Sequence, residues 1–185
     1  IDAIAGSAES PRIVDYKTGK PLTEATKSTT RRGHLLTAVA RGEWLQGVAY
    51  ALAVEGGQGA YVWLSTTAKL ADDAVRTTVV EHDDRELADR FGRAVGRLLE
   101  AWNLGAMPPR VSDPGRPDTR PGPCRRCPVR EACIREDSGL RRRLVEWLEA
   151  SGADPRSAVT AARELWWLGR RAEPGETAGP EGSVP

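Results

Sequence analysis

No run of apolar residues in the chain approaches the roughly 20 that a membrane-crossing helix needs. The first residues do not form a charged-then-apolar secretory leader. A membrane span is therefore not expected, and the cytoplasm is the expected compartment. Three cysteines cannot form a closed disulfide set, and the cytosol would keep them reduced. Lysine is scarce, with four in 185 residues. No internal repeat is visible, so a repeat array is not expected.

What is present reads as a globular protein. Apolar residues make up 39% and charged residues 29%, which fits neither a membrane protein nor a wholly disordered one. A chain of this length can bury roughly 70% of its unfolded surface and needs no disulfides to fold. One domain of moderate size with a small appendage is the expected organisation. The chain opens at Ile1, already inside an expected strand, so it is expected to be a piece of something longer.

The net charge of +1 hides a gradient. Residues 1–109 carry 13 basic and 14 acidic groups, residues 110–143 carry 10 and 5, and residues 144–185 carry 4 and 7. All ten basic residues of the middle block are arginine. A local arginine patch suits phosphate, although an ordinary solvated surface has the same composition.

Two short strands are expected at 1–5 and 12–16, joined as an antiparallel hairpin by a segment of turn composition. Residues 17–31 read as loop. Helical spacing of Trp44, Leu45, Val48, Ala49, Leu52 and Ala53 predicts a helix over 41–54, stopped at Gly56-Gly57. Strands are expected at 59–67 and 75–81. A long helix over 84–104 has Leu87, Phe91, Val95, Leu98, Leu99 and Trp102 on one side, with Asp83 or Asp84 as its cap. Residues 107–123 are a proline-rich loop, and two short amphipathic helices are expected at 140–150 and 156–170. The expected divisions are a core over 1–109, a cysteine loop over 110–137, helices over 138–171 and a disordered tail over 172–185.

The most informative stretch is Ile13-Val14-Asp15-Tyr16-Lys17-Thr18-Gly19-Lys20. Alternation along a strand puts Asp15 and Lys17 on one face and Tyr16 on the other. Asp2 lies near the start of the partner strand. Carboxylates converging from two strands beside a lysine provide hard oxygen ligands, which select Mg²⁺ or Mn²⁺. The lysine can polarise a water or stabilise charge developing on a phosphate. An isolated Asp-x-Lys is common in strands. The specificity comes from the ensemble: two of the four lysines fall in this octapeptide, and two apolar β-branched residues precede Asp15.

Asp2, a hairpin and then Asp15-Tyr16-Lys17-Thr18-Gly19 resemble the RecB-type branch of the PD-(D/E)XK nucleases. Gln46-Gly47-Val48-Ala49-Tyr50 resembles that family's Gln-xxx-Tyr motif, and residues four apart share a helix face. The resemblance covers about residues 1–137. It implies a restriction-endonuclease-like α/β fold: a central mixed sheet starting with an antiparallel hairpin, flanked by helices, with a small cysteine-anchored helical appendage. It implies Asp2, Asp15 and the Tyr16 carbonyl as metal ligands, Lys17 acting on the attacking water, and Gln46 and Tyr50 positioning the lysine or the DNA. The implied reaction is phosphodiester hydrolysis in DNA, within a helicase–nuclease or a repair and recombination protein. A nuclease fold without catalysis, serving DNA binding or subunit docking, is the alternative.

The cysteines form Cys124-x₂-Cys127-x₅-Cys133. Such thiolates select zinc or an iron–sulfur cluster. His34 and His82 are the histidines that could supplement them, and neither is near in sequence. The segment resembles the cysteine triplet after the nuclease core of AddB-like proteins. That resemblance implies one structural four-iron four-sulfur cluster, with a fourth cysteine upstream of residue 1. Arg125, Arg126 and Arg130 lie within this loop, where they either contact DNA phosphate or are solvated.

Overall fold

The computed structural model describes residues 3–7, 10–64, 73–106, 127–133, 138–150, 154 and 156–169. The chain divides into two compact units, one built on Ile1–Gly96 and one on Arg97–Trp167.

The first unit holds a four-stranded mixed sheet in the order β1-β2-β3-β4. Strands β1 (Ala3–Gly6) and β2 (Pro11–Lys17) form the expected antiparallel hairpin, with Ala3 opposite Val14. Strand β3 (Gln58–Trp63) runs parallel to β2, so that Asp15 faces Tyr61 and Lys17 faces Trp63. A parallel pair needs a crossover. Helices α1 (Ser28–Ala40) and α2 (Leu45–Ala53) lie in it. Strand β4 (Thr77–Glu81) returns antiparallel to β3. Leu35, Leu36, Val39, Val48, Ala51, Tyr61, Trp63, Val75, Val80 and Leu87 make one core cluster. This is the mixed α/β architecture expected from the sequence.

Helix α1 has no counterpart among the expected elements, and its first four residues fall in the expected 17–31 loop. Its start has no capping side chain and no acid in the first turn. Its buried residues, Leu35, Leu36, Ala38 and Val39, all lie in the second half. Burial of that end, not local propensity, stabilises it. The expected helix start at Arg41 is corrected to Leu45. Residues 41–44 form the turn between α1 and α2, where Gly42 and Trp44 adopt positive φ. Val75 belongs to a short helix α3 (Asp73–Arg76), and β4 begins at Thr77. Strand β3 ends at Trp63 rather than Thr67; Leu64 is 54% exposed, and residues 65–67 lie outside the described residues.

Helix α4 (Arg85–Asn103) spans the boundary of the two units. Its buried residues are Leu87, Ala94 and Ala101, with Phe91, Val95 and Leu98 half-buried. Leu99 and Trp102, expected on the same side, are 56% and 69% exposed. The fully buried positions are one leucine and two alanines, so the buried stripe is narrower than the large apolar residues imply. In the second unit a 3₁₀ turn (Arg130–Ala132) precedes α5 (Ser138–Ala150) and α6 (Ala158–Trp167). Leu148, Leu165 and Trp166 are buried there. No helix among the described residues is long and apolar enough to cross a membrane. The expected loop over 107–123 and tail over 172–185 lie outside the described residues.

Asp84 is the cap of α4: its Oδ1 accepts the Leu87 N–H at 3.1 Å. Arg32 grips the same carboxylate through two N–H groups, at 2.9 and 3.2 Å, and reaches Glu86 at 2.8 Å. Burial alone would raise the Asp84 pKa, but the Arg32 and Leu87 donors outweigh it and hold the carboxyl below its usual range. A depressed folded-state pKa stabilises above the unfolded value, and that stability is lost as pH falls through the folded one. The protein is therefore expected to lose stability on acidification below about pH 4, and Asp84→Asn to flatten that segment. Asparagine keeps the cap, whereas Asp84→Ala should lose a further ~1 kcal/mol. Urea midpoints measured against pH check this. An unchanged pH slope in Asp84→Asn refutes it.

Candidate active site

The end of β2 and the start of α2 bring the charged residues together. Ile13, Val14 and Asp15 are buried in the sheet, Tyr16 is exposed, and Lys17 is partly exposed. Pleat alternation puts Asp15 and Lys17 on one face, and their ion pair, Lys17 Nζ to Asp15 Oδ2 at 2.6 Å, follows. Asp15 Oδ2 is shielded from water, and the Lys17 ammonium is the charged group beside it. Lys17 Nζ also donates to Gln46 Oε1 at 2.9 Å. Tyr50, half-buried, lies one turn beyond Gln46 on α2.

Two aromatic rings complete the surroundings of the ammonium. Its nitrogen lies 5.9 Å from the Trp44 ring centroid and 5.8 Å from that of Tyr61. Ring faces at this range attract a cation. Trp44 is the N-cap of α2 and sits in the left-handed region at φ 54°, where a non-glycine side chain costs about 1–2 kcal/mol. Tyr61 is fully buried, and burial is the main cause that drives its hydroxyl pKa far above the usual value. Asp15 and Tyr50 push the same way, while the Gly47 N–H opposes them. Its O–H donates to the Trp44 carbonyl at 2.5 Å and accepts the Gly47 N–H at 2.6 Å. Sequence reasoning used Trp44 only as an apolar helix position and Tyr61 only as a strand residue. No local signal marks them as neighbours of Lys17, because the β2–β3 register decides it.

What Asp15 offers is a carboxylate shielded from water and ion-paired to Lys17, and its hard oxygens suit a divalent cation of the Mg²⁺ class. Asp2 lies outside the described residues, and the hairpin register is described only as far as Ala3. Among the described residues no group of three or more His, Cys, Asp or Glu side chains gathers to hold a metal. Cys127 and Cys133 are half-buried free thiols flanking the 3₁₀ turn. Cys124, Arg125 and Arg126 lie outside the described residues, and Arg130 opens that turn. A cleft of about 450 Å³ lined by Arg31, Arg32, Thr77, Asp84 and others contains none of the Asp15, Lys17 and Gln46 group.

No curated protein and no solved structure matches the chain. A model of the PD-(D/E)XK nuclease superfamily matches residues 1–134, which includes the sheet, α1, α2 and the Asp15-Tyr16-Lys17 strand end. With a mixed sheet opened by a hairpin, and an Asp-x-Lys pair in ionic contact at its second strand, the chain belongs to the PD-(D/E)XK nuclease superfamily.

Proposed function

We propose that the chain is a Mg²⁺- or Mn²⁺-dependent DNA nuclease of the RecB/AddB type, working within a helicase–nuclease or DNA repair and recombination protein. The observation that carries the reading is the Asp15–Lys17–Gln46 contact at the end of β2, inside a fold of nuclease family.

In this reading Asp2, Asp15 and the Tyr16 carbonyl would hold the cation, which would make water more acidic and offset phosphate charge. Lys17 donates to the attacking water or to the phosphate oxygen on which charge builds. Gln46 holds the ammonium from the other side, and Tyr50 supports the same helix face. The water oxygen forms a bond to phosphorus in line with the leaving sugar oxygen. The phosphorus–oxygen bond to that sugar breaks, the proton given up by the attacking water passes to solvent, the leaving oxygen takes up a proton from solvent, and no covalent enzyme intermediate forms. Residues 1–109 carry this chemistry. Cys124, Cys127 and Cys133 supply three ligands of a structural four-iron four-sulfur cluster, and Arg125, Arg126 and Arg130 contact DNA phosphate.

The test uses end-labelled linear and closed circular DNA with the full-length parent protein and an Asp15→Ala control. Cleavage that needs Mg²⁺, stops on chelation and vanishes in the control is the expected result. Sparing of the circle would assign an exonuclease. The same preparation should contain iron and acid-labile sulfide; zinc in their place overturns the cluster. No cleavage by a cluster-loaded chain overturns catalysis in favour of a docking module.

A further inference from the structure

Trp44, at the N-cap of α2, has no capping side-chain hydrogen bond. A helix start leaves its first N–H groups unsatisfied. Here the partner comes from another element: the Tyr61 phenol on β3 accepts the Gly47 N–H and donates to the Trp44 carbonyl. One hydroxyl thus holds the residues on either side of Leu45 and Gln46. Gly47 and Gly59 let the helix approach the strand, since a Cβ on Gly47 would meet the Tyr61 ring and one on Gly59 would overlap the Gly47 carbonyl. The Trp44 ring stands edge-on to Tyr61, with centroids 5.1 Å apart and planes at 87°. Both rings border the Lys17 ammonium.

We propose that Tyr61 and Trp44 are positioning residues for the reactive lysine: the Tyr61 hydroxyl fixes the α2 turn that presents Gln46, and the two rings confine the Lys17 ammonium between Asp15 and Gln46. The proposal rests on the nuclease reading above. Lysine carries its charge on a flexible four-carbon stem. A stem confined before substrate arrives loses less freedom on the way to the transition state. The Tyr61 ring alone would pack the core. The hydroxyl, buried and bonded on both sides, is the part that sets the helix start.

The test measures DNA cleavage by the full chain carrying Tyr61→Phe, Trp44→Phe or Trp44→Leu. Val80→Ala serves as a core variant that opens a cavity on the adjacent strand. Tyr61→Phe should lower kcat about tenfold or more while KM for DNA moves less than about threefold. Trp44→Phe, which keeps a ring, should retain kcat within about threefold, and Trp44→Leu should not. Val80→Ala should lower the melting temperature and leave kcat in place. A Tyr61→Phe enzyme with lower stability and full kcat overturns the proposal while leaving the nuclease reading intact. Loss of the nuclease reading shows differently, as a wild type that does not cleave or a Lys17→Ala variant as active as wild type. A second measurement needs no activity: the Lys17 Hε protons should be shifted upfield by the rings in NMR spectra and move back in Trp44→Leu. Unshifted Lys17 resonances in the wild type also overturn the proposal.

Discussion

Lys17→Ala is expected to lower kcat for DNA cleavage by about two to three orders of magnitude while DNA affinity changes little, the loss seen when one charge-stabilising donor is removed from a reaction centre. The ammonium is the only cationic group that the described contacts place against Asp15 and Gln46. Nothing among the described residues at that point can replace it. Lys17→Arg should not restore activity, because the planar guanidinium is larger and spreads its charge over a rigid fork, whereas the ammonium is a compact point charge. Removing the ammonium also leaves the buried Asp15 carboxylate without its ion-pair partner. A stability loss of about 1–3 kcal/mol is therefore expected alongside the kinetic loss. The two effects separate by temperature: cooling well below the melting transition should refold the variant without restoring its rate. Single-turnover rates and filter binding measured on the same preparation check both parts. Unchanged cleavage by Lys17→Ala removes Lys17 from the active site.

Gly59→Ala is expected to cost stability by about 1–3 kcal/mol or more, the range for forcing atoms into a filled interior. Gly59 needs no unusual backbone angle. Its role is close approach: a Cβ there would overlap the Gly47 carbonyl oxygen, a backbone atom that cannot swing aside. The helix would have to lift off the strand, and Gln46 would move with it. Each kcal/mol lost should lower the melting temperature by roughly 2–4 °C in a chain of this size. Activity should fall further than the unfolded fraction explains, because the Lys17–Gln46 contact of 2.9 Å has little slack. Gly92→Ala is the internal comparison. Gly92 lies in α4 with nothing within 4 Å of an added Cβ. That substitution should stabilise the helix by about 0.5–1 kcal/mol. A Gly59→Ala protein as stable as wild type would mean that α2 does not rest on β3 as described.

Sequence reading reached some features because their causes are local. Asp15 and Lys17 share a face since strand side chains alternate, and that holds whatever the rest of the chain does. The hairpin at Ala3–Gly6 and Pro11–Lys17 follows from turn composition between two β-rich runs. Gln46 and Tyr50 fall on one helix by their spacing, and Asp84 caps α4 by its place before the apolar periodicity.

Other features depended on contacts between distant segments. Helix α1 has a polar start, and its stability comes from the burial of Leu35, Leu36 and Val39. The turn over 41–44 interrupts an apolar pattern that by itself reads as continuous helix. The register of β2 against β3 sets Tyr61 opposite Asp15, and only then does Tyr61 reach both Trp44 and Gly47. Pairing between strands separated by two helices is not written in the spacing of either strand. The sequence by itself determined which residues carry charge and on which face of a strand or helix they stand. The tertiary structure alone decided what surrounds Lys17, because that environment is built from β2, β3 and α2 at once, and their approach is set by where two glycines allow backbones to touch.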